Sequence, residues 1–230
     1  MEHGFTLFQL LPYGDLYGHV IAAGLAALLL ILFAVRARSA QMAAGDALII
    51  PEENLTTRNL ADLLVGALDG FVGDVMGHEG RKFTPLFGAM FLFILLNNAM
   101  GLIPGWKPAT DNISTNFGIA IVVFLLTHII GFKVHGIGYF KHFLGPVMLL
   151  APLMLPIELI SHLVRPVSLS IRLFGNMFGD HMVLGIFTGL TKLFVPVIFY
   201  GLGLFVCFIQ AFVFTMLSMI YISLASSHDH

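Results

Sequence analysis

Arg172 is the residue of this chain whose surroundings demand an explanation. It stands inside a long apolar stretch, Leu144 to Leu190. A charged side chain at mid-membrane costs about 2.5–3.5 kcal/mol on insertion scales, so such residues face protein or a water cavity and mark ion or substrate paths. Glu158, Ser161, Arg165, Ser168, Arg172, Asn176 and Gly179 recur at intervals of three and four. On a helix that spacing makes one polar stripe along an otherwise apolar rod. Arg165 lies nearer one end, where a long side chain can snorkel to the interface. Arg172 has no such escape.

No local acid answers Arg172. Positions three and four away hold Leu169, Ser168, Gly175 and Asn176. Asp180, the nearest acid in sequence, sits about 80° around the helix. After Glu79 the chain has only Asp111, Glu158, Asp180 and Asp229. Arginine stays protonated in proteins. Its counter-charge is therefore Glu158 or Asp180 brought in by folding, pinning two helices, or a carboxylate of another chain. A matching face exists on the last apolar segment, where Gly203, Cys207, Gln210, Phe214, Leu217 and Tyr221 share helical spacing. A buried Gln210 needs partners for its amide, and the stripe around Arg172 can supply them. Interhelical glue is the other reading of Gln210.

These residues must be carried by membrane helices. The 230-residue chain is 58% hydrophobic and 10% charged, against about 25% charged in soluble domains, and its mean hydropathy is +0.93. Its net charge of -2 gives no reason to expect a nucleic-acid partner, and the single cysteine excludes a disulfide framework within the chain. Met1 to Leu11 lacks the basic start and cleavage site of a signal peptide, so the mature protein is expected to begin near Met1. A span needs about 20 apolar residues. The first is expected at 16–35. An amphipathic surface helix follows at 60–80, with Asp62, Gly66, Asp69, Gly70, Gly73 and Asp74 on one face and Leu60, Leu63, Leu64, Ala67, Leu68, Phe71, Val72 and Val75 on the other. A helix hairpin occupies 85–132, with spans at 85–103 and 117–132. Within 144–225, a proline-broken approach leads into a tilted helix from about Pro156 to Leu190 and a last helix from about Val195 to Ala225. The fold class is all-α integral membrane: one membrane domain, 1–230, with five embedded helices plus the surface helix, the last two paired as a long hairpin. Arg36, Arg38, Arg58, Arg81, Lys82, Lys133 and Lys141 group on one side, and Lys107 and Lys192 on the other. By the positive-inside rule the N-terminus is outside and the C-terminus cytoplasmic.

The run Pro166-Val167-Ser168-Leu169-Ser170-Ile171-Arg172-Leu173-Phe174-Gly175-Asn176-Met177 closely resembles the signature of subunit a of F-type ATP synthases. Gln210-Ala211-Phe212-Val213-Phe214 and Tyr221-Ile222-Ser223-Leu224-Ala225 resemble that family's last helix. Pro85-Leu86-Phe87, Asn97-Asn98, the Pro108–Thr115 loop and Gly136-Ile137-Gly138 fit too, so the likeness spans about Phe83 to His230. The resemblance implies a stationary channel in a bacterial inner membrane, beside a rotating ring of c subunits. Each ring subunit carries a carboxylate. The b-subunit peripheral stalk, other ATP synthase subunits and membrane lipid are implied partners. Arg172 matches the essential arginine that faces the ring carboxylates and bars a leak between two aqueous half-channels. Glu158 and Ser168 match the cytoplasmic half-channel. Asn176 matches an asparagine one turn beyond the arginine, and Gln210 the glutamine opposite it. His181 falls where members carry glutamate or histidine, but its usual partner position is Gly203 here. Asp180 is then expected to supply the missing acid, with His181 and Asp180 relaying protons from the periplasmic side. In the loop, Asp111 and Thr115 match, while the asparagine comes one place early, at Asn112.

The resemblance implies no cofactor and no enzyme activity of the chain on its own, and Gly-x-x-x-x-Gly-Lys-Ser/Thr is absent. Two other classes fit parts of the pattern. A self-contained secondary transporter would bind an anionic substrate at Arg172. A haem-bearing anchor would use His128 and His162, which otherwise read as helix-contact histidines.

Overall fold

A computed structural model describes residues 14–44, 56–103, 105–139, 151–190 and 194–226. The described residues form helices α1 (Gly14–Ala44), α2 (Thr57–Met76), α3 (Thr84–Met100), α4 (Ile113–His135), α5 (Ala151–Leu190) and α6 (Phe194–Ser226), joined in part by short 3-10 turns. Among the described residues, five segments are long and apolar enough to cross a membrane: Tyr17–Met42, His78–Met100, Ile113–His135, Pro152–Gly189 and Pro196–Ser226. The all-α membrane architecture expected from composition is therefore present. The chain divides into two compact units, Met1–Pro108 and Ala109–His230.

In the first unit, α1 runs past the end of its apolar stretch to Ala44, because nothing between Leu25 and Ala44 breaks a helix. Its buried positions are the small residues Gly18, Ala22, Ala26 and Ala37, while Leu28, Ile31, Leu32 and Val35 point outward, as on a lipid-facing helix. Helix α2 opens at Thr56, whose hydroxyl accepts the Asn59 N–H, and closes at Gly77. Gly77 has φ 71°, a conformation favourable only for glycine. That stop shortens the amphipathic helix expected at 60–80, and His78–Phe83 form a 3-10 turn instead. Ala61, Leu68 and Val72 are buried, whereas Leu60 and Leu63 are exposed. Packing on α1 and α3 takes one edge of the apolar arc rather than its centre. Two acids of the polar face are engaged. Gln41 Nε2 donates to Asp62 at 2.8 Å, and the Thr84 hydroxyl donates to Asp69 at 2.7 Å, with Arg81 Nε 3.7 Å from the same carboxylate.

The second unit begins with the 3-10 turn Ala109–Asp111. Asn112 caps α4 by accepting the Ser114 N–H at 2.9 Å, a standard helix-start role. Asn116 Nδ2 donates to the Thr110 carbonyl at 2.7 Å and ties the turn to the helix. The buried positions of α4 are Asn116, Ala120, Val123, Thr127 and Gly131, a stripe of small or short side chains that lets α5 and α6 approach. Gly131 faces the ring of Tyr139, which folds back just after the helix.

Helix α5 starts at Ala151, five positions before the proline expected to open it, and holds Pro156 and Pro166 within its length. The first turn of a helix lacks N–H partners anyway, so Pro152 costs little and Pro156 removes one bond near the end. At 1.5 Å per residue α5 is about 60 Å long, twice the hydrocarbon thickness. It buries Pro166, Leu169, Ser170, Leu173 and Met177. These sit one helical turn apart and face α4 and α6. Helix α6 buries Gly203, Cys207, Gln210, Ala211, Phe214, Thr215, Ser218, Met219 and Ile222.

Candidate functional site

The polar stripe of α5 borders its buried seam. Leu169 and Leu173 anchor the helix against its neighbours, so Ser168 and Arg172 fall on the flank. Arg172 is exposed. Among the described residues it has no hydrogen bond and no ion pair. Neither acid that could have reached it does so. Glu158 lies 3.4 Å from His162 Nε2, and Asp180 Oδ2 is buried without a hydrogen-bond partner among the described residues. The flanking Ile171 and Phe178 are exposed as well, at 54% and 49%. Arg172 is thus a cation on an apolar outer surface.

One turn on, Asn176 Nδ2 donates to Gln210 Oε1 at 2.6 Å. This bond spans α5 and α6 and holds the glutamine that the sequence places on the facing helix. Gln210 is 2% exposed, and its Nε2 has no partner among the described residues. The stripe, rather than Arg172 itself, meets the buried amide. Ser168 is half-buried on the same flank. Its neighbour Ser170 turns inward, its hydroxyl 3.4 Å from the Ile113 carbonyl.

Beyond Asn176, an open cleft of about 460 Å³ lies between the two helices. Gly175, Asn176, Gly179 and Asp180 line it from α5, facing Leu202, Phe205 and Ile209 of α6. The glycines keep the polar wall low, and the buried Asp180 oxygen adds an acceptor there. His181 points elsewhere: its Nδ1 is 4.0 Å from Asp111 Oδ1, on the 3-10 turn before α4. Asp111 is therefore an acid beside His181 that the sequence does not reveal: the adjacent Asp180 is visible in a sequence, and a contact across 70 positions is not.

Towards the other end of α5, the structure gathers Glu158, His162 and Arg165 from α5, His128 from α4, and Tyr139. The sequence marked Glu158 but read the two histidines as separate helix contacts. Their rings are 5.3 Å apart, edge to face, which leaves no gap for a porphyrin plane and removes the haem reading. Arg165 lies over the Tyr221 ring at 5.0 Å, a cation–π contact that holds it at the α5–α6 seam.

Comparison with known proteins places this arrangement among relatives. A family described as ATP synthase A chain matches residues 19–223. The chain is 45% identical to ATP synthase subunit a of Bdellovibrio bacteriovorus, covering 98% of this chain and 99% of the relative. It is 43% identical to ATP synthase subunit a 1 of Syntrophotalea carbinolica, covering 100% of this chain and 95% of that one. It is 51% identical to subunit a 2 of the same organism, over 75% of this chain and 74% of the relative.

Proposed function

Because the chain belongs to the ATP synthase A chain family, we propose that it is the stator channel of a rotary F-type ATP synthase, with Arg172 as the electrostatic gate between two half-channels. The observation that carries this reading is Arg172 itself, an exposed cation among apolar neighbours with no acid beside it among the described residues. A carboxylate presented by a neighbouring subunit supplies the missing charge. A cation beside a carboxylate favours its ionised form, so a ring carboxyl arriving at Arg172 releases its proton on one side and regains one from the other. One charge falling through 100 mV gains about 2.3 kcal/mol, which biases the direction of rotation.

The two half-channels take the two polar groupings. On the periplasmic side Asn176 and Asp180 line the α5–α6 cleft, Gln210 is bonded to Asn176, and His181 with Asp111 makes a second polar pair. On the cytoplasmic side Glu158 and Ser168 lead away from the gate. The c-subunit ring meets the exposed flank of α5, and the b-subunit stalk holds the chain still. The N-terminus faces outward and the C-terminus the cytoplasm of a bacterial inner membrane. The chain binds no nucleotide; ATP chemistry belongs to other subunits.

The test is Arg172→Ala in the assembled synthase, assayed for ATP-driven proton pumping in inverted membrane vesicles. Pumping is expected to be abolished while the subunit remains assembled. Coupled pumping at the normal rate would overturn the assignment. Transport by the purified chain alone in liposomes would favour a secondary transporter instead.

A further inference from the structure

We propose that His162 is a proton-carrying residue of the cytoplasmic half-channel, passing protons to Glu158, with His128 as the wall that holds it in place. The inference rests on the half-channel reading above and goes beyond it by adding a residue that the polar stripe does not contain.

Three contacts build the site. His162 Nε2 lies 3.4 Å from Glu158 Oε1, one turn away on α5. Resting geometry at a proton-transfer site is often looser than in the working state, so the separation needs to close by only a few tenths of an ångström. The exposures differ in the direction a relay needs. The His162 side chain is 13% exposed and that of Glu158 39%, so the imidazole faces the interior and the carboxylate faces out. His128 Nδ1 lies 2.8 Å from the Phe124 carbonyl of its own helix. A carbonyl only accepts, so Nδ1 of His128 carries a hydrogen, and this bond fixes the ring against which His162 rests at 5.3 Å.

The charged and titratable neighbours set the order of events. His162 faces Glu158 and Arg165 on α5, His128 on α4, and Tyr139 beyond the end of α4. From α6, Tyr221 carries the Arg165 guanidinium on its ring. Burial raises the Tyr139 phenol above its usual value, with Glu158 adding to the rise and Arg165 opposing it, so Tyr139 stays neutral. The fixed positive charge of Arg165 disfavours two protonated imidazoles side by side. When His162 Nε2 takes a proton from water leading back to the gate, the imidazolium donates to the carboxylate. The proton moves from Nε2 to Oε1, and protonated Glu158 releases it to cytoplasmic water. No other bond changes. Imidazole is the side chain whose ordinary range makes this transfer cheap in both directions near neutral pH.

The experiment uses the whole synthase in inverted vesicles. Passive proton flux through the membrane sector is measured after removal of the catalytic head, with the cytoplasmic-face pH varied from about 3 to 8, a span that takes in the ordinary histidine range and the lower values of a buried imidazole beside a cation. Wild type is expected to show an inflection in that range. His162→Gln keeps a polar group beside Glu158 but cannot carry a proton. It should lower flux roughly three- to tenfold and flatten the inflection, less than the roughly 100-fold or more of a general acid or base in a chemical step, because water can still carry part of the flux. In His162→Ala, added free imidazole should restore part of the flux. A His162→Gln enzyme with normal flux and an unchanged pH profile overturns the proposal, as does a wild-type profile without an inflection, which needs no variant to assemble. Loss of pumping in Arg172→Ala with unchanged His162→Gln flux would remove this inference alone and leave the channel assignment standing.

Discussion

Replacing Gln210 and replacing Asn176 break the same hydrogen bond, yet they should move stability in opposite directions. Gln210 is buried, accepts from Asn176 at 2.6 Å through Oε1, and has an Nε2 without a partner among the described residues. Gln210→Leu loses the interhelical bond, worth about 0.6 kcal/mol in membrane proteins. It also removes a buried amide donor whose unmet desolvation costs about 1–3 kcal/mol. Leucine nearly matches glutamine in volume, so no cavity opens. The net expectation runs from no change to a gain of about 2 kcal/mol. Asn176→Ala loses the same bond and leaves the whole Gln210 amide unanswered, a loss of about 1–3 kcal/mol by the same asymmetry. The assay is the unfolding midpoint of the purified chain in detergent or bicelles, for both single variants and the double variant. The double variant should match Gln210→Leu, because without the amide there is nothing left to orphan. A Gln210→Leu chain less stable than Asn176→Ala would refute the reasoning and show that the Gln210 donor is satisfied in the folded protein.

Three further outcomes are expected. A side chain at Gly131 would overlap the Tyr139 ring, whose Cζ would lie 2.8 Å from the added carbon, so Gly131→Ala should destabilise the chain by about 1–3 kcal/mol; recovery of the unfolding midpoint in Gly131→Ala with Tyr139→Ala checks the cause. Leu173 is fully buried, and Leu173→Ala should cost about 2–5 kcal/mol, read as a lower midpoint and poorer assembly with the synthase. Asp111→Asn removes the acid 4.0 Å from His181 and should slow passive proton flux severalfold at unchanged assembly; normal flux would take Asp111 out of the periplasmic path.

Local periodicity made the stripe of α5 legible. Spacings of three and four need only the geometry of one helix, so Glu158, Ser168, Arg172 and Asn176 stood together on the page before any fold was known. Gln210 was legible as a buried amide in search of a partner, and the partner is a member of that stripe. Helix ends were not legible in the same way. Apolarity marks where a bilayer fits, not where backbone hydrogen bonding stops, so α1 continues through Arg36 and Arg38 to Ala44 and α5 starts at Ala151. Asn112, which sits one place early in the loop, is explained by backbone need: it caps α4. Contacts between distant segments stayed hidden. Asp111 with His181 and His128 with His162 each join residues from different helices or turns, and no spacing rule connects them.

Pro166 gives α5 an elastic property. Having no N–H, it leaves the His162 carbonyl without its helical donor, at a point between the Glu158–His162 pair and Arg172. A helix missing one rung bends there more readily than elsewhere. The stretch carrying Arg172 and Asn176 is clamped to α6 by the Gln210 bond, while the stretch carrying Glu158 and His162 lies across the soft point. Sideways load on α5 is then taken up as flexure at 162–166, and the register of Arg172 against α6 is spared.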